Sequence, residues 1–285
     1  MTGGAMLDSM VIEKIIDTAL LEDIGIGDLT SELVVPADAR AEFVIQTRQE
    51  IVVAGIDVAA AVFRRRAPDC AFEKLVRDGQ PIAKGTVMAR IAGPARGLLT
   101  AERTALNLLQ HMSGIATLTA SYVAKIKGTK ATLVDTRKTT PGLRALEKHA
   151  VQLGGARNHR LDLSNGVMIK DNHISVCGSI EAAVKRAKAA VPILTKVEVE
   201  CDRIDQVKEA LAAGADMLLL DNMSLDMLRD AVKIVGGRIP LEASGGVNYE
   251  TIRPIAETGV DFISVGRITQ SAPAVDIGLD ATLTV

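Results

Sequence analysis

The sequence predicts an α/β protein in two parts, a mixed sheet with flanking helices followed by a (β/α) barrel. Its 285 residues allow one large α/β domain or two ordinary ones. Hydrophobic residues make up 48% of the chain and charged residues 24%, the composition of a globular protein. Short strand-like runs precede residue 99. From residue 131, apolar runs alternate with amphipathic stretches, which is typical of a parallel sheet.

The N-terminal part begins with a predicted helix over Val11–Leu21, where apolar residues recur at helical spacing. The glycine-containing segment from Gly25 to Thr30 interrupts that pattern. The elements predicted next are strands at Ala41–Thr47 and Ile51–Val53, a helix at Ile56–Arg66, and strands at Phe72–Val76 and Val87–Ile91. A mixed sheet that ends near residue 99 accounts for them. A long helix is then predicted over Ala101–Lys127, with Thr100 as its N-cap.

Apolar runs in the second part predict the strands of a parallel sheet, with amphipathic helices between most of them. The strands are Ala131–Asp135, Gly166–Ile169, Val197–Val199, Met217–Leu220, Pro240–Ala243 and Phe262–Val265, and the helices are Ile180–Ala190, Ile204–Ala213, Leu225–Ile234 and Asn248–Thr258. Every strand is followed by a charged, polar or glycine residue. Such groups converge on one mouth in a barrel, whereas a doubly wound sheet concentrates its ligands after two or three strands. The barrel is therefore favoured, either incomplete or with one strand hidden near Val151–Leu163.

Charge balance and residue usage exclude several classes of protein. The 33 basic and 35 acidic side chains nearly cancel, so no overall field attracts nucleic acid or membrane. There is no Trp, and two Tyr and four Phe are too few for stacking on single-stranded bases. Cys70, Cys177 and Cys201 form no CxxC pair, which argues against a disulfide framework or a thiolate zinc site. With no signal-peptide pattern and no 18-residue apolar run, we expect a cytosolic protein.

Positive charge is concentrated between residues 131 and 175. The segment holds seven basic side chains and three of the four histidines against four acids; the cations and histidines are Arg137, Lys138, Arg144, Lys148, Arg157, Arg160, Lys170, His149, His159 and His173. Arg137, Lys138 and Lys170 directly follow strands, so they are expected to form an anion site in the barrel mouth and not only a solvated face. Arg103, near the predicted start of the long helix, is either another anion contact or a surface residue.

Carboxylates and glycines follow the later strands. Glu200 and Asp221 end neighbouring strands, where they are suited to hold Mg²⁺, to accept hydrogen bonds from sugar hydroxyls, or only to fix a loop. Glu198 shares the face of Glu200, so one of the two is expected to be structural. Ser244-Gly245-Gly246 and Gly266 follow the last two strands, where backbone N–H groups of barrels hold phosphate. Acids and bases at six strand ends favour an enzyme with strongly anionic ligands over a pure binding protein.

Motifs spread over most of the chain, from about residue 10 to the end, resemble those of the quinolinate phosphoribosyltransferase family. They are Gly27-Asp-Leu-Thr30, Leu99-Thr-Ala-Glu-Arg-Thr-Ala-Leu-Asn107, Asp135-Thr-Arg-Lys-Thr-Thr-Pro-Gly-Leu-Arg144, Asn158-His-Arg160, Ile169-Lys-Asp-Asn-His173, Val197-Glu-Val-Glu200, Leu220-Asp-Asn222, Leu241-Glu-Ala-Ser-Gly-Gly246 and Gly259-Val-Asp-Phe-Ile-Ser-Val-Gly266. Taken together, and in this order, the motifs are specific to the family.

The resemblance implies a fold, a reaction and an assembly. The expected fold is an N-terminal α/β sandwich domain over residues 1–99 and an incomplete, seven-stranded α/β barrel over residues 100–285, with a tail from about residue 270 that returns to the first domain. The expected reaction converts quinolinate and phosphoribosyl pyrophosphate, with Mg²⁺, into nicotinate mononucleotide, pyrophosphate and CO₂ in de novo NAD synthesis. The expected assembly is a homodimer or a higher homo-oligomer with shared sites.

The resemblance also implies roles for individual residues. Substrate-binding residues are expected to be Arg103 supplied by the partner chain, Thr136, Arg137, His159, Arg160, Ser244, Gly245, Gly246 and Gly266. Within this set, Arg137, His159 and Arg160 would hold the quinolinate carboxylates, and the serine and glycines would hold the 5′-phosphate. Catalytic residues are expected to be Lys138 and Lys170 on the pyrophosphate, and Glu200 and Asp221 on the ribose hydroxyls and Mg²⁺.

One position departs from the family pattern. The family often reads Leu-Thr-His-Ser after the last strand, whereas this chain has Ile268-Thr-Gln-Ser271. Gln270 can donate a hydrogen bond to phosphate but carries no charge. Two alternatives to the expected enzyme are a molybdenum-transport-associated paralogue, which shares much of the pattern, and a non-catalytic binder of phosphorylated metabolites.

Overall fold

The structure, a computed structural model, describes residues 8–282 and divides into two compact units. The described part of the first unit is residues 8–120, 139–155 and 269–282, and the second unit is residues 121–138 and 156–268. Residue 99, the predicted end of the first domain, lies within a helix that continues to Lys125. Within the described residues, no helix combines the length and the apolar character needed to cross a lipid bilayer.

Residues 8–282 form eleven helices and twelve strands. The helices are α1 Ser9–Ile24, α2 Leu29–Val34, α3 Ile56–Arg66, α4 Ala95–Lys125, α5 Arg144–Leu153, α6 Asp171–Cys177, α7 Ile180–Ala190, α8 Ile204–Ala212, α9 Leu225–Val235, α10 Ile252–Ala256 and α11 Arg267–Gln270. The strands are β1 Arg40–Thr47, β2 Ile51–Val52, β3 Ala71–Lys74, β4 Pro81–Ile82, β5 Val87–Pro94, β6 Thr132–Val134, β7 Val167–Ile169, β8 Val197–Cys201, β9 Met217–Asp221, β10 Leu241–Ser244, β11 Phe262–Ser264 and β12 Ile277–Ala281.

An antiparallel sheet in the order β12-β1-β5-β3 forms the centre of the first unit. Its last strand, β12, lies beside β1, with Ile277 opposite Thr47. α3 packs a wholly apolar face into the core, where Phe63 is fully buried. The start of α3 is capped from a distant loop, because Asp78 Oδ1 accepts hydrogen bonds from the first backbone N–H groups at 2.9 and 3.0 Å.

The long helix α4 begins six residues before the predicted start, so the prediction that Thr100 is its N-cap is wrong. Thr100 lies inside the helix, where its Oγ1 donates to Arg96 O at 2.8 Å. Arg103 therefore lies in the third turn, away from the positive end of the helix dipole, and the dipole argument for an anion there does not hold. The early start is concealed by Gly97, which suggests a break in the sequence. A Cβ at this position would lie 3.0 Å from Ala67 Cβ, so the glycine permits a close approach to α3.

The second unit is built on a parallel sheet in the order β6-β11-β10-β9-β8-β7. All six predicted strands are present. A further segment pairs with β6 on its outer edge, where Arg157 N donates to Leu133 O at 3.0 Å and Asp135 N donates to Arg157 O at 3.2 Å. Arg157 lies within the segment Val151–Leu163 that the sequence proposes for a hidden strand. The predicted fold class, a sandwich-like α/β part and a parallel barrel-like part, is confirmed.

The register of the parallel strands sets which side chains share a face. Glu200 is level with Leu219, and Leu219 is level with Glu242 on the other side. Asp221 is level with Ser244, two residues closer to the carboxyl ends of the strands than the Leu219–Glu242 level. Because side chains alternate along a strand, Glu198 and Glu200 lie on the same face of β8. This face therefore carries carboxylates at several heights.

Candidate active site

Basic, acidic and glycine residues gather where the strands of the second unit end. Arg137 and Lys138 follow β6, and Lys170 follows β7. Glu200 and Asp221 lie in the last residues of β8 and β9, and Ser244 ends β10. Since these strands are parallel, their carboxyl ends lie along one edge of the sheet. The structure thus brings these six predicted residues to one end of the sheet.

A buried aspartate fixes the basic segment beside β6. Asp135 is fully buried and accepts hydrogen bonds from Asn158 Nδ2 at 2.6 Å and from the backbone N–H of His159 at 2.8 Å. In the loop that follows β6, Thr136 Oγ1 accepts a hydrogen bond from the backbone N–H of Lys138 at 3.0 Å. Charge-assisted bonds to a buried carboxylate are strong and directional. They hold the Asn158-His159 segment in place beside β6.

Two arginines from different loops lie close enough to repel each other. Burial lowers the pKa of Arg160, and the neighbouring charge of Arg137 lowers it further, whereas Glu198 opposes the shift. Among residues 8–282, the guanidinium of Arg160 makes only long contacts, at 3.5 Å to Gly166 O and 3.7 Å to Met168 Sδ. Two guanidinium groups held near one another attract an anion that carries two negative charges.

Lys170 and Glu200 form an ion pair on neighbouring strands, in which Lys170 Nζ contacts Glu200 Oε2. The lysine side chain is 43% exposed and the glutamate side chain 16%, so the cation lies on the solvent side. The backbone N–H of Lys170 donates to His173 Nδ1 at 2.9 Å, which fixes the turn into α6. An incoming anion at Lys170 would compete directly with the Glu200 carboxylate.

The loops that follow β9 and β10 approach each other closely at the carboxyl ends of these strands. Asn222 has a φ of 53°, in the left-handed region, and its Nδ2 donates to Asp221 Oδ2 at 2.7 Å. Its backbone N–H donates to Ser244 O at 2.9 Å. Gly245 faces Asn222 so closely that any Cβ would overlap the Asn222 side chain. Strained backbone of this kind is concentrated at functional sites.

Deeper in the sheet, two buried glutamates share one imidazole. His159 Nε2 lies 3.3 Å from Glu198 Oε2 and 3.2 Å from Glu242 Oε2, and its Nδ1 accepts the backbone N–H of Arg160 at 2.8 Å. Burial raises the pKa of Glu198 against the lowering effect of His159, and Glu242 raises it further. Burial lowers the pKa of His159, but the two carboxylates more than offset this and raise it to about 10.

Both shifts mean that the His159–Glu198–Glu242 cluster, taken as a unit, holds an additional proton at neutral pH. The Arg160 N–H restricts where that proton lies, because an Nδ1 atom that accepts a hydrogen bond has no proton of its own. The ring therefore has its single proton on Nε2, which leaves the additional proton to the carboxylates. The three ligand atoms lie within 4.8 Å of one another, so the donor set also has the composition of a metal site.

A cavity of about 410 Å³ lies next to this cluster within the second unit. Its walls include His159, Arg160, Glu198 and Glu242, together with residues at or just before the starts of the strands, such as Met217. Lys138, Lys170, Glu200, Asp221 and Ser244, the residues at the carboxyl ends, do not line it. The cavity thus adjoins the buried cluster and two predicted site residues, His159 and Arg160, but not the residues at the carboxyl ends of the strands.

Comparison with known proteins identifies the family. Two family profiles match, "Quinolinate phosphoribosyl transferase, N-terminal domain" over residues 28–113 and "Quinolinate phosphoribosyl transferase, C-terminal domain" over residues 115–280. The chain belongs to the quinolinate phosphoribosyltransferase family. It is 41% identical over 277 residues to the probable nicotinate-nucleotide pyrophosphorylase (carboxylating) of Bacillus subtilis, covering 97% of this chain and 96% of that protein. It is 44% identical over 268 residues to the nicotinate-nucleotide pyrophosphorylase (carboxylating) of Mycobacterium leprae, covering 92% and 94%.

Solved structures of the quinolinate phosphoribosyltransferase family have the same fold. The nicotinate-nucleotide pyrophosphorylase of Francisella tularensis superposes with a TM-score of 0.93 at 38% identity, covering 97% of this chain and 98% of that one. The enzyme of the same name from Ehrlichia chaffeensis superposes with a TM-score of 0.92 at 43% identity, covering 97% and 100%. Identity at this level over whole chains means that both units of this chain follow the family fold.

Within this candidate site, three residues have structural roles that the sequence reasoning did not assign. Glu242 completes the buried cluster, Asp135 fixes the basic segment, and Asn222 orients Asp221. The signal for Glu242 is its spacing, because it lies two residues before Ser244 and so shares the inward face of β10. Arg103 is an exposed residue of α4 in the first unit, and its predicted role in a partner's site stays a prediction.

Proposed function

We propose that this chain transfers the phosphoribosyl group of phosphoribosyl pyrophosphate to quinolinate with loss of CO₂, giving nicotinate mononucleotide and pyrophosphate for NAD synthesis. The observation that carries the proposal is the match to both domains of the family combined with paired arginines, a lysine–glutamate pair and a glycine cradle at one end of a parallel sheet. We expect the reaction to take place in the cytoplasm. The three cysteines of the chain are free thiols, as in proteins of a reducing compartment.

Quinolinate is a dicarboxylate, and we assign it to Arg137 and Arg160. Burial lowers the pKa of Arg160 most, and the charge of Arg137 lowers it further; a dianion that binds between the two arginines would relieve the repulsion. Arginine suits this task better than lysine because its planar fork binds a carboxylate through two parallel hydrogen bonds. His159 has both ring nitrogens engaged in this structure, so we assign it to the support of Arg160 as well as to the quinolinate pocket.

Phosphoribosyl pyrophosphate is assigned to the ends of the later strands. Backbone N–H groups of Gly245, Gly246 and Gly266 and the Ser244 hydroxyl would hold the 5′-phosphate. Gly245 and Gly246 have φ values of +87° and +63°, so their peptides are presented in an orientation that other residues rarely adopt. Thr136 and Lys138 would contact the pyrophosphate side.

Glu200 and Asp221 are suited to Mg²⁺, which prefers one or two carboxylates together with substrate phosphates. Asp221 Oδ2 accepts from Asn222 and Glu200 Oε2 contacts Lys170, so each carboxylate retains its other oxygen for a ligand. When bound, Mg²⁺ would neutralise charge on the leaving pyrophosphate. The same carboxylates would also accept hydrogen bonds from the ribose hydroxyls.

The reaction requires positioning and charge stabilisation more than covalent chemistry. The pyridine nitrogen forms a bond to the anomeric carbon while the bond between that carbon and the pyrophosphate oxygen breaks. Pyrophosphate departs with the electron pair of the broken bond. Lys138 and Lys170 would absorb the developing negative charge. Lys170 leaves Glu200 for this role, which frees that carboxylate for the ribose. The carbon–carbon bond to the carboxylate next to the pyridinium nitrogen then breaks, CO₂ leaves, and the ring carbon takes up a proton.

An assay of product formation tests the function. Purified protein with quinolinate, phosphoribosyl pyrophosphate and Mg²⁺ should give nicotinate mononucleotide and one CO₂ per turnover, and calorimetry should detect quinolinate binding. A molybdenum-transport-associated paralogue would bind no quinolinate, and a metabolite-binding protein would bind without turnover. Either of these two results would contradict the proposal.

We also propose that two subunits share each site, with Arg103 supplied by the partner. Seven large apolar side chains between Met10 and Val34 in the first unit are exposed, which supports a surface that another subunit covers; they are Met10, Val11, Leu21, Ile26, Leu29, Leu33 and Val34. Arg103→Ala and Arg137→Ala should each be nearly inactive. After subunits are exchanged, half of the dimers are mixed and each has one intact site, so activity should return to roughly a quarter of wild type. A mixture that stays inactive despite exchange confirmed by mass spectrometry would show that Arg103 serves its own chain.

A further inference from the structure

The two glutamates of the His159–Glu198–Glu242 cluster are buried and have no part in the chemistry proposed above. Glu198 is 6% exposed and Glu242 is 1% exposed. A buried acid pair is costly because each carboxylate loses its hydration. Within the described residues, neither Glu198 Oε1 nor Glu242 Oε2 has a hydrogen-bond partner, so this cost is only partly offset. Such an arrangement calls for a function of its own.

The contacts of the imidazole form a continuous connection from the buried acids to Arg160. Nε2 points between Glu198 and Glu242, and Nδ1 accepts the Arg160 backbone N–H at 2.8 Å. A ring held at both nitrogens cannot rotate without losing a bond at each end. The backbone of Arg160 is therefore fixed by a ring whose own orientation is set by two carboxylates.

Arg160 needs such an anchor because its side chain has few strong contacts of its own. Its guanidinium contacts with Gly166 O and Met168 Sδ are at or beyond the limit of a useful hydrogen bond. The nearby charge of Arg137 pushes it away. The direction of the Arg160 side chain consequently depends on the position of its own backbone. His159 Nδ1 holds that backbone through the hydrogen bond from the Arg160 N–H.

We propose that Glu198 and Glu242 are positioning residues that hold the His159 ring with its proton on Nε2, and through Nδ1 hold Arg160 ready for the anionic substrate. The proposal rests on the proposed function for the identity of that substrate, but the state of the ring does not depend on it. The ionisable groups near the ring come from several elements. They are Glu198 from β8, Glu242 from β10, Asp135, which accepts the backbone N–H of His159, and Arg160 with its neighbour Arg137.

The first test is spectroscopic and uses the full chain without substrate. Only four histidines are present, so ¹⁵N-histidine labelling with a His159→Gln variant assigns the ring signals of His159. We expect a protonated Nε2 and an unprotonated Nδ1 at pH 7. Protonation of both nitrogens, or loss of the Nε2 proton to a bound metal ion detected by metal analysis, would overturn the proposal.

The second test compares two substitutions of Glu242. Glu242→Gln keeps an oxygen beside Nε2 without the charge, and Glu242→Met fills the space without an oxygen. In the methionine variant the KM for quinolinate should rise about tenfold, whereas kcat and the KM for phosphoribosyl pyrophosphate change less than about twofold. The glutamine variant should restore the quinolinate KM to within about threefold of wild type. The Arg160 amide signal should shift in the methionine variant only.

The outcomes separate this proposal from the proposed function. If the folded methionine variant keeps the wild-type quinolinate KM, or if both substrate KM values rise together with a lower melting temperature, the glutamates have only a structural role. If the wild type does not turn over, the proposed function fails. The His159 spectra and the Arg160 amide shift then still decide whether the ring is held as proposed.

Discussion

Replacing Gly245 by alanine should weaken phosphoribosyl pyrophosphate binding by more than the backbone cost of the substitution. The residue has a φ of +87°, where a side chain costs about 1–2 kcal/mol. The new Cβ would also lie 2.5 Å from Asn222 Cγ and 2.8 Å from Asn222 N. These atoms have to move, because real Cβ contacts are not that short.

Moving Asn222 also affects Asp221, because the two side chains are hydrogen-bonded. Asn222 Nδ2 donates to the Asp221 carboxylate at 2.7 Å, and moving the side chain away loses that bond, which is worth about 1–2 kcal/mol. Asp221 is the carboxylate assigned to the ribose and Mg²⁺. The KM for phosphoribosyl pyrophosphate should therefore rise about 5- to 30-fold, with a smaller change in the KM for quinolinate.

Gly214→Ala is the matched control. Gly214 has the same φ of +87°, follows α8, and has no atom within 4 Å of the position of a Cβ. It should lower the melting temperature through the backbone cost alone and leave both KM values unchanged. Steady-state kinetics with one substrate varied at saturation of the other, together with thermal melting, measures both effects. If Gly245→Ala behaves like Gly214→Ala, the close approach to Asn222 does not build the site.

The remaining predictions address the quinolinate pocket, a helix cap and a buried thiol. Arg137→Ala and Arg160→Ala should each weaken quinolinate binding by about 2–4 kcal/mol in calorimetry, and equal weakening of both substrates would contradict the division of the site. Asp78→Ala removes the cap of α3 and should cost about 1–2 kcal/mol of unfolding free energy, with kcat unchanged; no loss in denaturant titration would refute the cap. Burial raises the pKa of Cys201 to about 12, so alkylation of the native protein at pH 8 should spare it and modify the partly exposed Cys177, as peptide mass spectrometry would detect.

The regular part of the barrel-like unit is predictable because its signal is local. Each strand is a short apolar run, and each helix between them has a polar face, so β6 to β11 and α7 to α9 are found close to their observed bounds. Short or irregular elements are not found in this way. α2 and β12 lack a clear period, α5 is not found although it is amphipathic, and the strand position at Arg157 is a single bridge that depends on pairing with β6. Such pairing is a tertiary property.

The start of α4 shows how one residue misleads a local prediction. Gly97 reads as a break because glycine disfavours helices, but here it lies in the first turn and lets the helix approach Ala67. The strand-end residues of the site are predictable, since topology alone brings them to one edge. The partnership of His159 with Glu242 is not, because the two residues are 83 positions apart and belong to different elements. Only alternation along β10 indicates that Glu242 faces inward.

The charges of the second unit have a common physical basis. An anion site needs cations that remain close together before the anion arrives, and Arg137 and Arg160 repel each other in that state. Glu198 offsets part of this repulsion, since it raises the pKa of Arg160 while Arg137 lowers it. Glu198 is thus an internal counter-charge to Arg160. Because this counter-charge is fixed in β8, binding an external dianion would require little rearrangement, and preorganised electrostatics of this kind stabilises charge most effectively.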